Sequence, residues 1–230
     1  MATSGTATFS LELTDLIEEA FERCGAEMRS GYDLRTARRS LNLLFADWAN
    51  RGINMFTFDQ GTIAMVPGTA TYTLPEDTVD LMEHTLRTGA GAAATQADLS
   101  MARISVSTYA TIPNKLTQGR PLQVFIERLV SGPRVTVWPV PDAVTTYTLV
   151  YWRLRRIQDA AGGATTMDVP FRFIAALTAG LAYYLALKIP GALERLGTLK
   201  SQYDEAWELA STEDREKAPV RFVPRNIYIG

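Results

Sequence analysis

The side chains that could carry chemistry in this chain are few and scattered. His84 is the only histidine and Cys24 the only cysteine, so His-based metal or triad chemistry is hard to assemble and an intramolecular disulfide is excluded. His84 follows Glu83 in an alternating, strand-like stretch, where an ordinary surface or half-buried histidine is expected. Cys24 falls on the apolar face of a helical pattern and reads as a small core residue. The stretch TGAGAA at 88–93 contains G-x-G but lacks the third glycine and has no strong helix behind it, and neither G-x-x-x-x-G-K-[ST] nor G-x-S-x-G occurs. Glu205, Glu208 and Glu213 could be drawn as a carboxylate cluster, but the pattern runs on into Asp214, Arg215, Glu216 and Lys217. Charges alternating in this way mark a solvated face more readily than acid–base or metal chemistry. Arg153, Arg155 and Arg156 follow Tyr151 and Trp152. Basic residues among aromatics can form a nucleic-acid face; arginines that cover a tryptophan at a strand end and pair with acids such as Asp159 explain the pattern more simply. No enzymatic activity, metal or cofactor is expected.

Composition narrows the class further. The chain has 230 residues, 47% of them hydrophobic, enough for a sizeable core in one large or two small domains. Lys and Arg number 23 against 25 acidic residues, a net charge of −2, which argues against a general nucleic-acid binder. The opening residues MATSGTATFSLELTDL lack a basic region followed by a continuous apolar run, so a cytosolic product is expected. The longest apolar run, FIAALTAGLAYYLALKIP, offers about 15 residues between Arg172 and Lys188, short of the roughly 20 that cross a bilayer. It reads as a buried helix, and no membrane partner is expected.

The elements that must position these residues follow from periodicity. In residues 14–24, Leu16, Ile17, Ala20, Phe21 and Cys24 share a helical face, with Asp15, Glu18 and Glu19 near the start and Gly25 past the stop. A second helix is expected from Asp33, as its N-cap, to Arg51, with Leu34, Ala37, Leu41, Leu44, Phe45 and Trp48 inward and Gly52 beyond its end. The period then drops to two. Val66-Pro67-Gly68-Thr69 suits a type II turn, and TIAMVPGTATYTL reads as a β-hairpin. Further strands are expected at 79–87, 122–128, 134–138 and 145–156, the last apolar on both faces and therefore central. Residues 88–96 read as a small-residue loop, and MARISVSTYATIPNK as holding a short helix. In VTVWPVPD at 135–142 the prolines end the strand at Trp138 and remove its donors, and Asp142 opens the turn to the next strand.

From Asp168 the pattern is helical again. Asp168 is expected to cap a helix through Phe171–Leu187, and a last helix runs from Pro190 to about Ser211 with Leu193, Leu196, Leu199, Tyr203, Trp207 and Ala210 on one stripe. The expected fold class is α+β, a helical bundle built from N- and C-terminal helices with an inserted antiparallel β-rich module and an extended C-terminal tail. The expected boundaries are 10–55 and 161–212 for the helical domain, 56–160 for the β module and 213–230 for the tail. The tail ends APVRFVPRNIYIG. A free tail is usually polar; this one offers Phe222, Val223, Ile227 and Tyr228 as apolar anchors and Arg221 and Arg225 as charge partners, either across its own domain or on a neighbour.

The order of these pieces resembles that of head-to-tail connector adaptors, the head-completion or tail accessory proteins of tailed bacteriophages, especially short-tailed ones. The resemblance rests on LTDLIEEAFERCG, then RSLNLLFADWANRGI at 39–53, VPGTATYTLPEDTVDLMEH, STYATIPNKLTQGRP at 107–121, VTVWPVPD, YTLVYWRLRRIQDA and DVPFRFIAALTAGLAYYLALK, and it covers roughly residues 10–228. It implies a virion protein of the head–tail junction, made in the host cytoplasm, with copies of itself in a ring, usually of twelve. Its implied partners are the portal protein above, tail or nozzle proteins below, and packaged double-stranded DNA passing without sequence-specific contact. Such a ring extends the channel and helps to retain the genome. A ring subunit needs two heterologous faces and an arm for its neighbour, which a near-neutral chain with an apolar tail can supply. The alternative is a non-viral module binding a carbohydrate or peptide, which would need Tyr109, Trp138, Tyr151 and Trp152 gathered on an exposed platform.

Overall fold

The structure, a computed structural model, describes residues 5–6, 9–52, 54–130, 132–161, 165–215 and 217. Helix α1 (Leu13–Arg23) buries Leu13, Leu16, Ile17, Ala20 and Phe21 and stops at Gly25, whose φ of +75° suits the residue beyond a helix end. Helix α2 (Gly31–Asn50) buries Ala37, Leu41, Leu44, Phe45 and Trp48. Its N-cap is Ser30, not Asp33: Asp33 sits at the third helical position and its carboxylate accepts from the Ser30 N–H, closing a capping box. Both residues satisfy orphan donors of the first turn, which is why either could be read as the cap from sequence.

After a 3-10 turn at Met55–Thr57, the chain forms β1 (Phe58–Ala64), β2 (Thr71–Thr73), β3 (Thr78–Thr88), β4 (Ala97–Ser100), β5 (Ala102–Arg103), α3 (Val106–Ala110), β6 (Gln118–Gly119), β7 (Gln123–Glu127), β8 (Arg134–Trp138), β9 (Val140–Pro141) and β10 (Tyr147–Arg155). One sheet is ordered β1-β10-β3-β4, a second β2-β8-β7-β5, and β6 pairs with β9. Most pairs are antiparallel; β5 with β7 and β6 with β9 run parallel. Leu81, Leu86, Leu149 and Tyr151 from the first sheet and Val124, Val135 and Val137 from the second form one buried cluster. As expected, β10 is central, flanked by β1 and β3. Gly61 lies opposite Tyr151, and a Cβ there would run into the tyrosine ring.

The hairpin expected at 62–74 does not form, although its turn does. Thr69 N donates to Val66 O at 3.0 Å, and Gly68 has φ +79°. The strands it joins belong to different sheets: β1 pairs with β10 and β2 with β8. The Tyr72 hydroxyl bonds to Val66 and Thr69, and Gly68 N donates to Pro141 O, so the turn is a corner between sheets. The alternation that leaves Leu74 buried and Thr71 and Thr73 exposed is satisfied equally well by β8 as a partner.

The prolines of VTVWPVPD also act differently from expectation. Strand β8 stops at Trp138, and the Trp138–Pro139 bond is cis. The chain then resumes pairing as β9, with Val140 N donating to Thr117 O at 2.9 Å. Pro139 therefore redirects the chain to a new partner instead of closing an edge. Asp142 does open the next turn, its Oδ1 accepting from Val144 N at 3.1 Å.

The C-terminal helical part comprises a 3-10 turn at Phe171–Phe173, α4 (Ile174–Ala186), a 3-10 turn at Ala192–Arg195 and α5 (Leu196–Glu213). Helix α4 is buried on nearly all sides, with α1, α2 and α5 packed around it. Its residues join Leu16, Leu41, Trp48, Leu199 and Tyr203 in a second buried cluster, distinct from that of the β part. The fold is thus α+β, with helices from both ends of the chain around one core and β structure between them. On α5, Leu199, Tyr203 and Ala210 are buried as expected, whereas Leu193 is 63% exposed. Leu193 belongs to the 3-10 turn before α5, whose different pitch takes it off the stripe.

Candidate assembly interface

Helix α1 buries one side against α4 and turns the other outward. Asp15, Glu18, Glu19 and Glu22 recur at three and four along that outer side. Beside them, Phe9 and Leu11 from the lead-in to α1 and Phe171, Ile174 and Ala175 from the start of α4 line an open groove of about 780 Å³. Phe9 and Phe171 are 75% and 78% exposed. The groove thus has an apolar floor and an acidic wall. Glu19 pairs with Arg23 at 2.8 Å, but among the described residues Asp15, Glu18 and Glu22 make no ion pair. Carboxylates four apart on a helix repel one another by a few tenths of a kcal/mol, so the wall carries uncompensated negative charge.

Charged side chains fasten the rest of the frame. Asp214, buried at the end of α5, accepts from Met55 N at 2.7 Å and pairs with Arg172, the residue after Phe171. Arg155 pairs with Asp168, whose carboxylate also accepts from Gln158 N at 3.1 Å. Asp168 therefore ties the end of β10 to the approach to α4 and caps nothing; Pro170 precedes the 3-10 turn that starts the helical run. Asn42 accepts from Ala160 N at 2.9 Å and Arg38 donates to Ala160 O at 3.2 Å, which holds α2 against the returning chain.

The residues singled out in the sequence come together at no catalytic site. Cys24 is buried, its thiol donating to Ala182 O at 3.2 Å, and burial pushes its ionisation upward. His84 is half-buried on β3, and burial holds its imidazole below the ordinary value. TGAGAA forms the loop from β3 to β4. Glu205, Glu208 and Glu213 are exposed, with Glu213 paired to Lys217. Arg153 is buried, 8% exposed, and held by Asp59, Asp77 and Thr78, and Arg155 by Asp168. The expected partner Asp159 is used by neither, because the carboxylates that face these arginines come from β1, from the segment before β3 and from the approach to α4. Among the described residues no group of three or more His, Cys, Asp or Glu could hold a metal ion. No helix of the described residues is long and apolar enough to cross a membrane. The tail anchors Arg221, Phe222, Val223, Arg225, Ile227 and Tyr228 lie outside the described residues.

A family model described as SU10 adaptor protein matches residues 11–223. The chain belongs to the SU10 adaptor protein family. It is a phage adaptor and a component of the virion. A comparison with curated proteins gives no match.

Tyr109, Trp138, Tyr151 and Trp152 are not gathered on one exposed platform of the adaptor. Tyr151 is buried in the β core and Trp152, its neighbour on β10, takes the opposite face of the sheet. Tyr109 stacks on Phe125 at 5.1 Å, and the Trp138 indole N–H donates to Asn114 O at 3.0 Å. The groove between α1 and α4 is not encoded locally, since Phe9 precedes the helix and Phe171 lies 162 positions away. In the sequence Asp15, Glu18 and Glu19 read only as acids near the start of α1, with no interface implied.

Proposed function

We propose that this adaptor assembles as a ring beneath the portal, extends the DNA channel, helps to retain the packaged genome and gives tail proteins their platform. The helical part would meet the portal and adjacent subunits, the β part would face tail components, and the segment 219–229 would dock on the portal or a neighbour once the ring forms. Phe222, Val223, Ile227 and Tyr228 are the proposed anchors, with Arg221 and Arg225 as charge partners. The observation that carries the reading is the family match over residues 11–223. A net charge of −2 suits a channel that lets DNA slide. The test is deletion of residues 219–230: the shortened protein should stay folded by circular dichroism yet fail to co-sediment with portal particles. Undiminished association would remove the docking role from this segment.

A further inference from the structure

We infer that in the free protein the groove between α1 and α4 is occupied by the chain's own C-terminal segment, residues 218–230. The inference rests on the reading of that segment as a docking arm and names its seat before assembly. Three observations support it, and the first is chemical. The groove joins an apolar floor, with Phe9 and Phe171 largely exposed, to a wall bearing Asp15, Glu18 and Glu22, which make no ion pair among the described residues. The sequence APVRFVPRNIYIG has six large apolar residues, two arginines and no acidic residue. An apolar, cationic strand is what an apolar, anionic trough selects.

The second observation is spacing. Asp15 and Glu22 lie seven residues apart on α1, about 10 Å along a helix. Arg221 and Arg225 lie four residues apart, about 13 Å in an extended chain. Pro219 and Pro224 bias the residues before them toward extended geometry. The two guanidinium groups can therefore meet opposite ends of the acidic wall while Phe222 and Val223 lie between them.

The third is where α5 ends. Asp214 is fastened to Arg172, and Arg172 directly follows Phe171, a wall of the groove. Phe222 lies eight positions beyond Asp214, a reach of up to about 26 Å. A tether this short places the arm at an effective concentration on the order of millimolar, so its own groove outcompetes that of another copy in dilute solution. The latch covers the apolar residues of both arm and groove until a partner competes for them.

The test uses full-length protein with Ala175→Cys in the groove and Val223→Cys in the arm. Cys24, only 4% exposed, does not compete for cross-linking. Under oxidised glutathione at low protein concentration, a disulfide within one chain should form at least tenfold faster than in an Arg39→Cys/Val223→Cys control, since Arg39 is exposed on α2 away from the groove. Adding Glu18→Lys and Glu22→Lys, or high salt, should slow it several-fold. A rate equal to the control, or cross-linking only between chains, overturns the inference. Portal co-sedimentation of the 219–230 deletion is read separately. Loss of portal association without the intrachain cross-link removes the latch and leaves the adaptor reading intact; the reverse outcome removes the arm's portal role and keeps the latch.

Discussion

Replacing Tyr203 by Phe isolates one buried hydrogen bond that joins α2 to α5. Tyr203 and Trp48 are 1% and 0% exposed, and the indole N–H donates to the phenol oxygen at 2.9 Å. Phe keeps the ring that stacks on Tyr183 at 6.3 Å and receives the Arg51 guanidinium at 4.9 Å. What disappears is the acceptor, which leaves the Trp48 N–H buried without a partner. An orphaned donor of this kind costs about 1–3 kcal/mol, and for a chain of this size each kcal/mol lowers Tm by about 2–4 °C. A loss near 2 kcal/mol thus corresponds to a Tm about 4–8 °C lower. Urea unfolding followed by tryptophan emission checks it, with the midpoint falling and the slope unchanged. A shift below about 1 °C would mean that the bond is replaced by water and that this core is looser than described. A loss above about 4 kcal/mol would mean that the hydroxyl also supports packing.

Other consequences can be checked by standard means. Ser30→Ala should cost about 1 kcal/mol by opening the capping box at α2, and Asp33→Ala added to it should cost less than its effect alone, because both act on one turn. Gly180 sits where α4 meets α2 and α5, and a Cβ there would come within 2.8 Å of the Tyr203 ring and 2.9 Å of Leu44. Both neighbours are buried, so Gly180→Ala should lower Tm despite its better helix propensity. Burial lowers the ionisation of His84 from 6.5, which makes its protonation unfavourable in the fold. Its share of stability is complete above that value and shrinks as pH falls below it. Between about pH 7.5 and 5.5, His84→Gln should therefore lose less stability than the unsubstituted protein. Cys24 should resist maleimide at pH 8 in the folded protein and react within minutes in denaturant, because burial both shields the thiol and raises its ionisation.

Periodicity recorded the elements well and their partners poorly. The inward faces of α1 and α2, the all-round burial of α4 and the central place of β10 follow from which residues must leave water, and each was legible. The Val66–Thr69 turn was legible too, because Pro67 and Gly68 fix local dihedrals. That β2 turns to β8 instead of β1 was not, since strand partners are chosen by long-range packing that local alternation does not encode. Asp33 and Asp168 show a similar limit. A carboxylate at a helix start can be the cap, the third residue of a capping box or one half of an ion pair with a strand; for Asp33 the local Ser30 three residues earlier decides, and for Asp168 the position of Arg155 does. The groove between α1 and α4 was not legible as a site. Asp15, Glu18 and Glu19 read only as acids at a helix start, and Phe9 and Phe171 come beside them through folding alone.

The central claim, that this adaptor forms a ring on the portal, is tested most directly by electron microscopy of purified protein mixed with purified portal. The account predicts a closed ring of copies coaxial with the portal and an open central channel. Single copies bound off the axis, or no association at saturating protein, would contradict it.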